Sequence, residues 1–475
     1  MSLDINLHPR QGEAFLSKAT EILYGGAAGG GKSFLMRAAM IIWCAAIPGL
    51  QCYLFRRTFP DLWKNHMEGP TSFPMLLSLW IKVGWVKINY SDNVIRFWNG
   101  SCIFLCHCQY EKDKYKYQGA EIHVLMIDEL THFTKSIYSY LRGRVRMVGL
   151  KLPPEYAGMF PRILSGSNPG GVGHNWVKFD FVDAGLDVRQ MPDEDGGMVR
   201  QYIPARMTDN PDLLREDPKY LQRLEGLGNP ALVKAMKDGD WNIISGGMFD
   251  DLWRPEKHVF APFPIPSSWT IDRAFDWGST KPFSVGWWAE SDGSPVIIKE
   301  GLKERKVHFP RGSLFLIAEW YGWNGNPNEG CKLSSPEIAK GIKERERFIR
   351  ANVLPGPADS SIFDAPDGES IAAKMAAEPH KVKWVPADKS PGSRKNGWQK
   401  IRDMLSEGLK DNPESPILGI FNTCPQWIRN VPALPRDESK PDDVDTDAED
   451  HDGDMTRYRV MYKRSRLVVK RIGGL

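Results

Sequence analysis

The chain has 475 residues, with 62 Lys or Arg against 59 Asp or Glu and a formal net charge of +3. At roughly 150 residues per domain, that length predicts two to four domains. The even charge balance excludes a chain that is basic throughout, so any nucleic-acid surface has to be a local patch. A hydrophobic share of 41% and a charged share of 25% exclude disorder over the whole chain.

No run of about 18 apolar residues suggests a membrane span, and the opening residues carry no apolar signal core. The seven cysteines show no paired CxxC spacing. Cys102, Cys106 and Cys108 read as strand residues, and a reduced, intracellular compartment is the simpler expectation.

Residues 1–245 read as alternating strands and helices. Strands are expected at 21–24, 51–55, 123–127 and 162–165, and a helix at 32–46 stopped by Pro48 and Gly49. Asn99-Gly100 predicts a hairpin between 93–98 and 102–107. The unbroken apolar run at 123–127 is that of a strand covered on both faces. Strand–helix alternation predicts a mainly parallel sheet wrapped by helices.

Gly246-Gly247 and the Pro-rich stretch to residue 266 read as a linker or hinge. Strand-like runs follow at 269–275, 283–289, 295–299 and 314–320, which predicts an antiparallel meander. Helices are expected at 337–349 and 397–408. Residues 437–454 hold ten acidic side chains, and residues 457–475 hold seven Lys or Arg and no acid. That reversal marks a basic C-terminal tail.

Gly26-Ala27-Ala28-Gly29-Gly30-Gly31-Lys32-Ser33 fits GxxxxGK[ST], between a strand and a helix. Such a loop closes backbone N–H groups around phosphate oxygens at a helix N-terminus. Lys32 is expected on the β and γ phosphates of ATP and Ser33 on Mg²⁺.

The strand at 123–127 would deliver Asp128 to the same Mg²⁺, and Glu129 to the attacking water as its base. Ser165-Gly166-Ser167-Asn168-Pro169 ends another strand. Its Ser167 and Asn168 are placed to sense the γ-phosphate. Gln11, in His8-Pro9-Arg10-Gln11, is a candidate for the adenine edge. Arg56, Arg57, Arg142, Arg144, Arg146 and Lys116 are candidate cations for the transition state, alongside the plainer reading of solvated or DNA-facing charges.

In the second half, Asp276 ends an apolar strand and Asp359 follows an apolar stretch. Asp450, Asp452 and Asp454 precede Met455-Thr456-Arg457-Tyr458. Cutting a phosphodiester with two Mg²⁺ ions needs about three or four converging carboxylates, and hard cations favour oxygen ligands. Composition alone does not select these residues from 59 acids.

The combined pattern resembles the large terminase subunit of tailed bacteriophages. It is carried by the Gly26–Ser33 loop, Met126-Ile127-Asp128-Glu129 and Ser165 to Pro169. In the second half it is carried by Phe275-Asp276-Trp277-Gly278, Pro357-Ala358-Asp359-Ser360, and Asp450-His451 with Asp454 and Arg457-Tyr458.

The resemblance implies an α/β chain. An N-terminal P-loop ATPase of the additional-strand, conserved-glutamate class (1–245) precedes a linker (246–266) and an RNase H-like mixed α/β nuclease domain (267–475). Asp276 looks like a metal ligand on the first strand, Asp359 like one on a second strand, and Asp454 like one on the C-terminal helix, with Asp450 assisting. Asp452 and Gly453 stand where the family has small or apolar residues, so Asp450, Asp452 and Asp454 all stay open for that role.

The implied cofactors are ATP and Mg²⁺, with Mn²⁺ also accepted at the nuclease site. The implied partners are double-stranded DNA, the portal protein of the procapsid and a small terminase subunit. A ring of copies on the portal is implied, with a monomer in solution left open. The implied place is the host cytoplasm and not the mature virion, with no membrane role. A helicase-nuclease of repair or recombination is the alternative that shares the ATP loop.

Overall fold

The computed structural model describes residues 5–226, 233, 236–241, 247–300, 303–349, 352–365, 368–437 and 439–463. It divides into two compact units, Met1–Asp250 and Asp251–Leu475. Gly246 and the basic residues 464–475 lie outside the described residues. No described helix is long and apolar enough to cross a membrane.

The first unit is built on nine strands: β1 (Glu21–Gly26), β2 (Gln51–Arg56), β3 (Val86–Asn89), β4 (Val94–Phe97), β5 (Cys102–His107), β6 (Val124–Asp128), β7 (Arg162–Ser167), β8 (Arg189–Gln190) and β9 (Val199–Ala205). They lie in the order β3-β4-β5-β2-β6-β7-β1-β9-β8. The six from β5 to β9 in that order run parallel, while β3, β4 and β8 are antiparallel additions at the edges. The Asn99-Gly100 hairpin forms as expected, joined on its other side by β3.

Why β1, β6 and β7 are apolar without alternation is plain from their two faces. Ile22, Tyr24, Met126 and Leu164 pack with Leu35, Met36 and Met40 of the helix Lys32–Ala46. Leu23, Leu125, Ile127 and Ile163 enter a second core with Tyr138, Trp176 and Phe181. Strand β7 lies between β1 and β6, and the register pairs Gly25 with Ser167 and Asp128 with Gly166. The C-terminal ends of all three strands therefore meet at one place on the sheet edge.

The second unit has β10 (Val259–Phe260), β11 (Thr270–Asp276), β12 (Ser284–Glu290), β13 (Pro295–Glu300), β14 (Lys303–His308), β15 (Leu314–Tyr321), β16 (Pro357–Ala358), β17 (Val385–Pro386) and β18 (Leu418–Phe421). Seven of them form a mixed sheet, β10-β18-β15-β12-β11-β16-β17. Its central three strands are antiparallel, and β16 and β17 continue beside β11 in parallel.

The expected four-strand meander needs correction: β13 leaves it and pairs with β14 in a separate two-stranded ribbon. Its burial explains this. Val296 and Ile298 are buried but Ile297 is 51% exposed, a one-sided strand, whereas β12 is buried along almost its whole length. Strand β14, Lys-Glu-Arg-Lys-Val-His, is too charged to show an apolar period.

The helices Ser335–Glu346, Ser393–Gly408 and His451–Met461 complete the unit. Close approach of the last helix depends on missing side chains. A Cβ on Gly286 of β12 would lie 2.6 Å from Met455 Sδ, and one on Gly397 would lie 2.3 Å from Arg457 Cγ.

The expected basic tail also needs correction at its start. Arg457 and Arg459 belong to the helix His451–Met461 and are buried. Arg457 Nε pairs with Asp454, and Arg459 pairs with Asp272 and Glu290. Their charges are paired with Asp454, Asp272 and Glu290 of the same unit, so these two arginines are not part of an exposed basic tail.

Candidate functional site

In the first unit, the glycine loop joins the end of β1 to the helix Lys32–Ala46. Gly26, Gly29 and Gly31 take φ of +126°, +73° and +74°, a region that disfavours other residues. Side chains hold the loop's carbonyls from behind. Tyr24 OH donates to Gly30 O at 3.1 Å, Asn210 Nδ2 to Gly29 O at 2.7 Å and Gln11 Nε2 to Gly31 O at 2.9 Å. The helix begins here, and its first-turn N–H groups have no partner within it.

Gln11 is buried against the loop, and its amide oxygen accepts from His8 N at 2.9 Å. Much of its amide is therefore spent on shaping the loop. Asn210 was not legible in the sequence, since it lies 181 residues from its partner.

Lys32 Nζ donates to Ala27 O at 2.8 Å and to Asn168 Oδ1 at 2.5 Å. Burial lowers its pKa against the opposing pull of Glu129 and Asp128. Gly166 lies beneath the Lys32 helix: a Cβ there would stand 2.7 Å from Met36 Cε and 3.4 Å from Lys32 Cβ.

Asp128 is almost wholly buried at the end of β6, with Ser33 Oγ 3.5 Å from both its oxygens. His66 Nε2 stands 3.1 Å from Asp128 Oδ2, and Arg56 Nε 3.6 Å from the same atom. Burial alone would raise this carboxyl. The His66 hydrogen bond and the charges of His66, Arg56 and Lys32 outweigh it and hold it at about 2. Arg37 supports His66 in turn, with Nη1 3.3 Å from its Nδ1. No sequence motif announces His66, which arrives on the helix Phe59–His66.

Glu129 sits at φ +59°, uncommon for a residue with a side chain. Its carboxylate accepts from the backbone N and the Nδ2 of Asn168, each at 3.3 Å. Thr131 N donates to Ser167 Oγ at 3.0 Å, and Thr131 Oγ1 to Asn168 O at 3.0 Å. The segment after β6 is thus tied to the turn after β7. Beside them is a cavity of about 270 Å³ whose lining includes Gly26, Arg56, Glu129 and Asn168.

Of the candidate cations, Arg56 reaches this site. Arg142 is committed to Glu21 and Asp195, Lys116 to Asp113, and Arg144 to Gln118 O and the face of Tyr140.

In the second unit, pairing of β11 with β16 sets Asp276 beside Asp359, whose N donates to Phe275 O at 3.0 Å. Asp450 and Asp454 stand one turn apart at the start of the helix His451–Met461 and so share a face. Asp452 does not: it is fully buried, and accepts from Ser284 Oγ at 2.5 Å and Asn430 Nδ2 at 2.8 Å. The open choice among the three thus divides into two acids at the cluster and one structural acid.

The cluster is electrostatically crowded. Burial raises Asp276 to about 6; His451 pulls it down, and the charges of Asp454 and Asp359 push it up. Burial and Asp454 raise Asp450 to about 7. Burial lowers His451, but Asp276, Asp450 and Glu449 overcome it and raise it to about 9. The imidazolium can donate from Nδ1 to Asp276 Oδ2 and from Nε2 to Asn328 Oδ1, each at 3.2 Å.

Arg394 bonds Asp450, Asp454 and Asp443. Lys389 Nζ lies 2.5 Å from Asp359 Oδ1. Neither cation carries a sequence signal. Among the described residues, no three His, Cys, Asp or Glu stand close enough, as placed, to hold one metal ion. The donor chemistry nevertheless suits a hard cation, with all-oxygen ligands under mutual repulsion.

Residues 23–254 match the family model described as "Terminase large subunit, T4likevirus-type, N-terminal". No curated protein matches the chain. Among solved structures, the large terminase of bacteriophage HK97 is 10% identical, with 97% of this chain and 96% of that one covered and a TM-score of 0.41. A large terminase from a thermophilic bacteriophage is 16% identical, with 96% and 98% covered and a TM-score of 0.40. The large terminase nuclease domain of P22 is 18% identical, with 46% of this chain and 92% of that one covered and a TM-score of 0.32. These three are likenesses only. Residues 23–254, which hold the glycine loop, Asp128-Glu129 and the Ser167-Asn168 turn, are the part of the chain that matches the N-terminal region of the terminase large subunit family.

Proposed function

We propose that this chain is the motor-nuclease of viral genome packaging. ATP hydrolysis in the first unit drives double-stranded DNA into a procapsid, and a two-metal endonuclease in the second cuts concatemeric DNA. The observation that supports the reading is the complete phosphate loop with Asp128-Glu129 inside the stretch that matches the terminase family, in a chain whose second unit holds Asp276, Asp359, Asp450 and Asp454 within one shared electrostatic field.

In the first unit, Gly26, Gly29, Gly30 and Gly31 let the loop close on phosphate oxygens, and Lys32 neutralises them. Ser33 and Asp128 hold the nucleotide's Mg²⁺. Glu129 orients and deprotonates the attacking water. Asn168, which touches both Lys32 and Glu129, registers loss of the γ-phosphate. Gln11 acts through the loop it braces, at the nucleotide's edge.

In the second unit, Asp276, Asp359 and Asp454, with Asp450 assisting, hold Mg²⁺ or Mn²⁺. The ions would activate water and neutralise the scissile phosphate. His451 keeps Asp276 oriented. The grip on DNA is chiefly to phosphates, hence weakly dependent on sequence and strongly on salt. Site choice falls to a small terminase subunit, and force is delivered against the portal by a ring of copies. The work is done in the host cytoplasm, and the chain leaves before the virion matures.

Purified full-length protein tests this with two assays, DNA-stimulated ATP hydrolysis and Mn²⁺-dependent plasmid cleavage. Lys32→Ala is expected to abolish the first and spare the second, and Asp276→Ala the reverse. ATP-driven unwinding of a forked duplex would instead favour a helicase-nuclease.

A further inference from the structure

The loop that follows β17 carries two cations into the acidic cluster. Its root is fixed: Ala387 N donates to Ala358 O at 2.8 Å, one residue before Asp359. Asp388 Oδ1 then accepts from Ser390 N at 2.9 Å, turning the chain back. Gly392, at φ +86°, leads into the helix Ser393–Gly408. Lys389 thereby reaches Asp359 from one side, while Arg394 in the first helical turn reaches Asp450 and Asp454 from the other.

The two cations differ in how firmly they are built in. Arg394 bonds three carboxylates and its side chain is 27% exposed. Lys389 bonds Asp359 alone among its described ion pairs, and its side chain is 44% exposed. The Lys389 ammonium is half-exposed while the Asp359 carboxylate is only 16% exposed, so the contact is open to exchange from the lysine side.

We propose that Lys389 is a positioning residue for strand cleavage: a resident counter-charge that occupies Asp359 in the metal-free protein and exchanges with the incoming divalent ion. The inference rests on the metal-site reading above. It also accounts for carboxylates that share one field yet offer no ready-made three-ligand site. The exchange breaks no covalent bond. The ammonium keeps its proton and leaves Asp359 Oδ1, and the metal ion takes that oxygen. Arg394 stays to hold the helix start.

The test is Mn²⁺ titration calorimetry on the full chain, without DNA. Lys389→Gln is expected to bind Mn²⁺ about two- to fivefold more tightly, equivalent to about 0.4–1 kcal/mol, the scale of one competing ion pair with a half-exposed partner. Lys395→Gln removes the same charge from an exposed pair with Asp442 and is expected to leave the affinity unchanged. Equal or weaker binding by Lys389→Gln, or equal tightening by Lys395→Gln, overturns the proposal. Asp359→Asn separates the two levels: if it does not weaken Mn²⁺ binding, the metal-site reading itself fails. If it does weaken binding while Lys389→Gln changes nothing, only the exchange fails. Unchanged thermal unfolding of Lys389→Gln verifies that the variant is folded.

Discussion

Asn168 donates through both its backbone N and its Nδ2 to the carboxylate of Glu129, each at 3.3 Å. Its Oδ1 meanwhile accepts from Lys32 at 2.5 Å, so one carboxamide links a phosphate-binding cation to the proposed base. Asn168→Ala is expected to lower the ATP turnover number by about 100-fold, the low end of what a misplaced general base costs. Nucleotide affinity should hold within about threefold, because the loop is intact. Steady-state kinetics alongside nucleotide titration checks the split. A rise in KM with unchanged kcat would move Asn168 from positioning the base to binding the substrate.

Asp128 depends on His66 for its state. Its folded value of about 2 lies below its ordinary 3.8. The corresponding stability is present above about pH 4 and is lost as pH falls through 2. Removing the imidazole leaves a buried carboxylate short of a partner, so His66→Ala is expected to destabilise the protein by about 2–3 kcal/mol at pH 7. The penalty should shrink in acid. Denaturant unfolding at pH 7 and at about pH 2 measures both.

The second cluster has the opposite sign. Asp276 and Asp450, at about 6 and about 7, lie above their ordinary 3.8. The stability tied to their protonated forms is full below about pH 4 and is lost as pH rises through 6 to 7. The His451 contribution, raised from 6.5 to about 9, persists to higher pH. Metal binding needs the ionised carboxylates. The rise in Tm produced by Mn²⁺ is therefore expected to be larger at pH 7.5 than at pH 5, and differential scanning calorimetry reads it directly.

Asp452 and Asp454 are two residues apart and face different surroundings. Asp454→Asn is expected to abolish plasmid cleavage while leaving ATP hydrolysis within about twofold. Asp452→Asn is expected to lower Tm, since Ser284 and Asn430 donate to a carboxylate that the amide only half replaces. Cleavage per folded molecule should survive. Thermal unfolding and cleavage measured on the same preparations separate the two roles.

Gly286→Ala tests the seat of the helix His451–Met461. The added methyl meets Met455 Sδ at 2.6 Å, an overpacking that costs about 1–3 kcal/mol. Displacing the helix that bears Asp450 and Asp454 should reduce cleavage and leave ATP hydrolysis intact. Unchanged cleavage would show that the helix start is held by Arg394 rather than by its bed on β12.

What was legible in the sequence was local. The 21–24 run read as a short strand and the 123–127 run as one buried on both faces, and both faces of β1 and β6 are covered. The glycine loop was recognisable because φ above zero leaves few alternatives to glycine. The β13–β14 ribbon was not legible, because one of its strands is charged on both sides. His66, Lys389 and Arg394 were missed because each acts on a carboxylate at least 30 residues away, with no spacing to announce it. Arg457 and Arg459 were misread as tail because a basic residue paired inside a core looks, in sequence, the same as one in water.

The claim on which the account most depends is that the second unit gathers metal ions. Anomalous diffraction from crystals of the full chain soaked in Mn²⁺ tests it. The account predicts one or two manganese peaks, roughly 4 Å apart if two, ligated by Asp276, Asp359 and Asp454, with Asp452 still bonded to Ser284 and Asn430. Manganese absent from that cluster, or bound only elsewhere on the second unit, would contradict it.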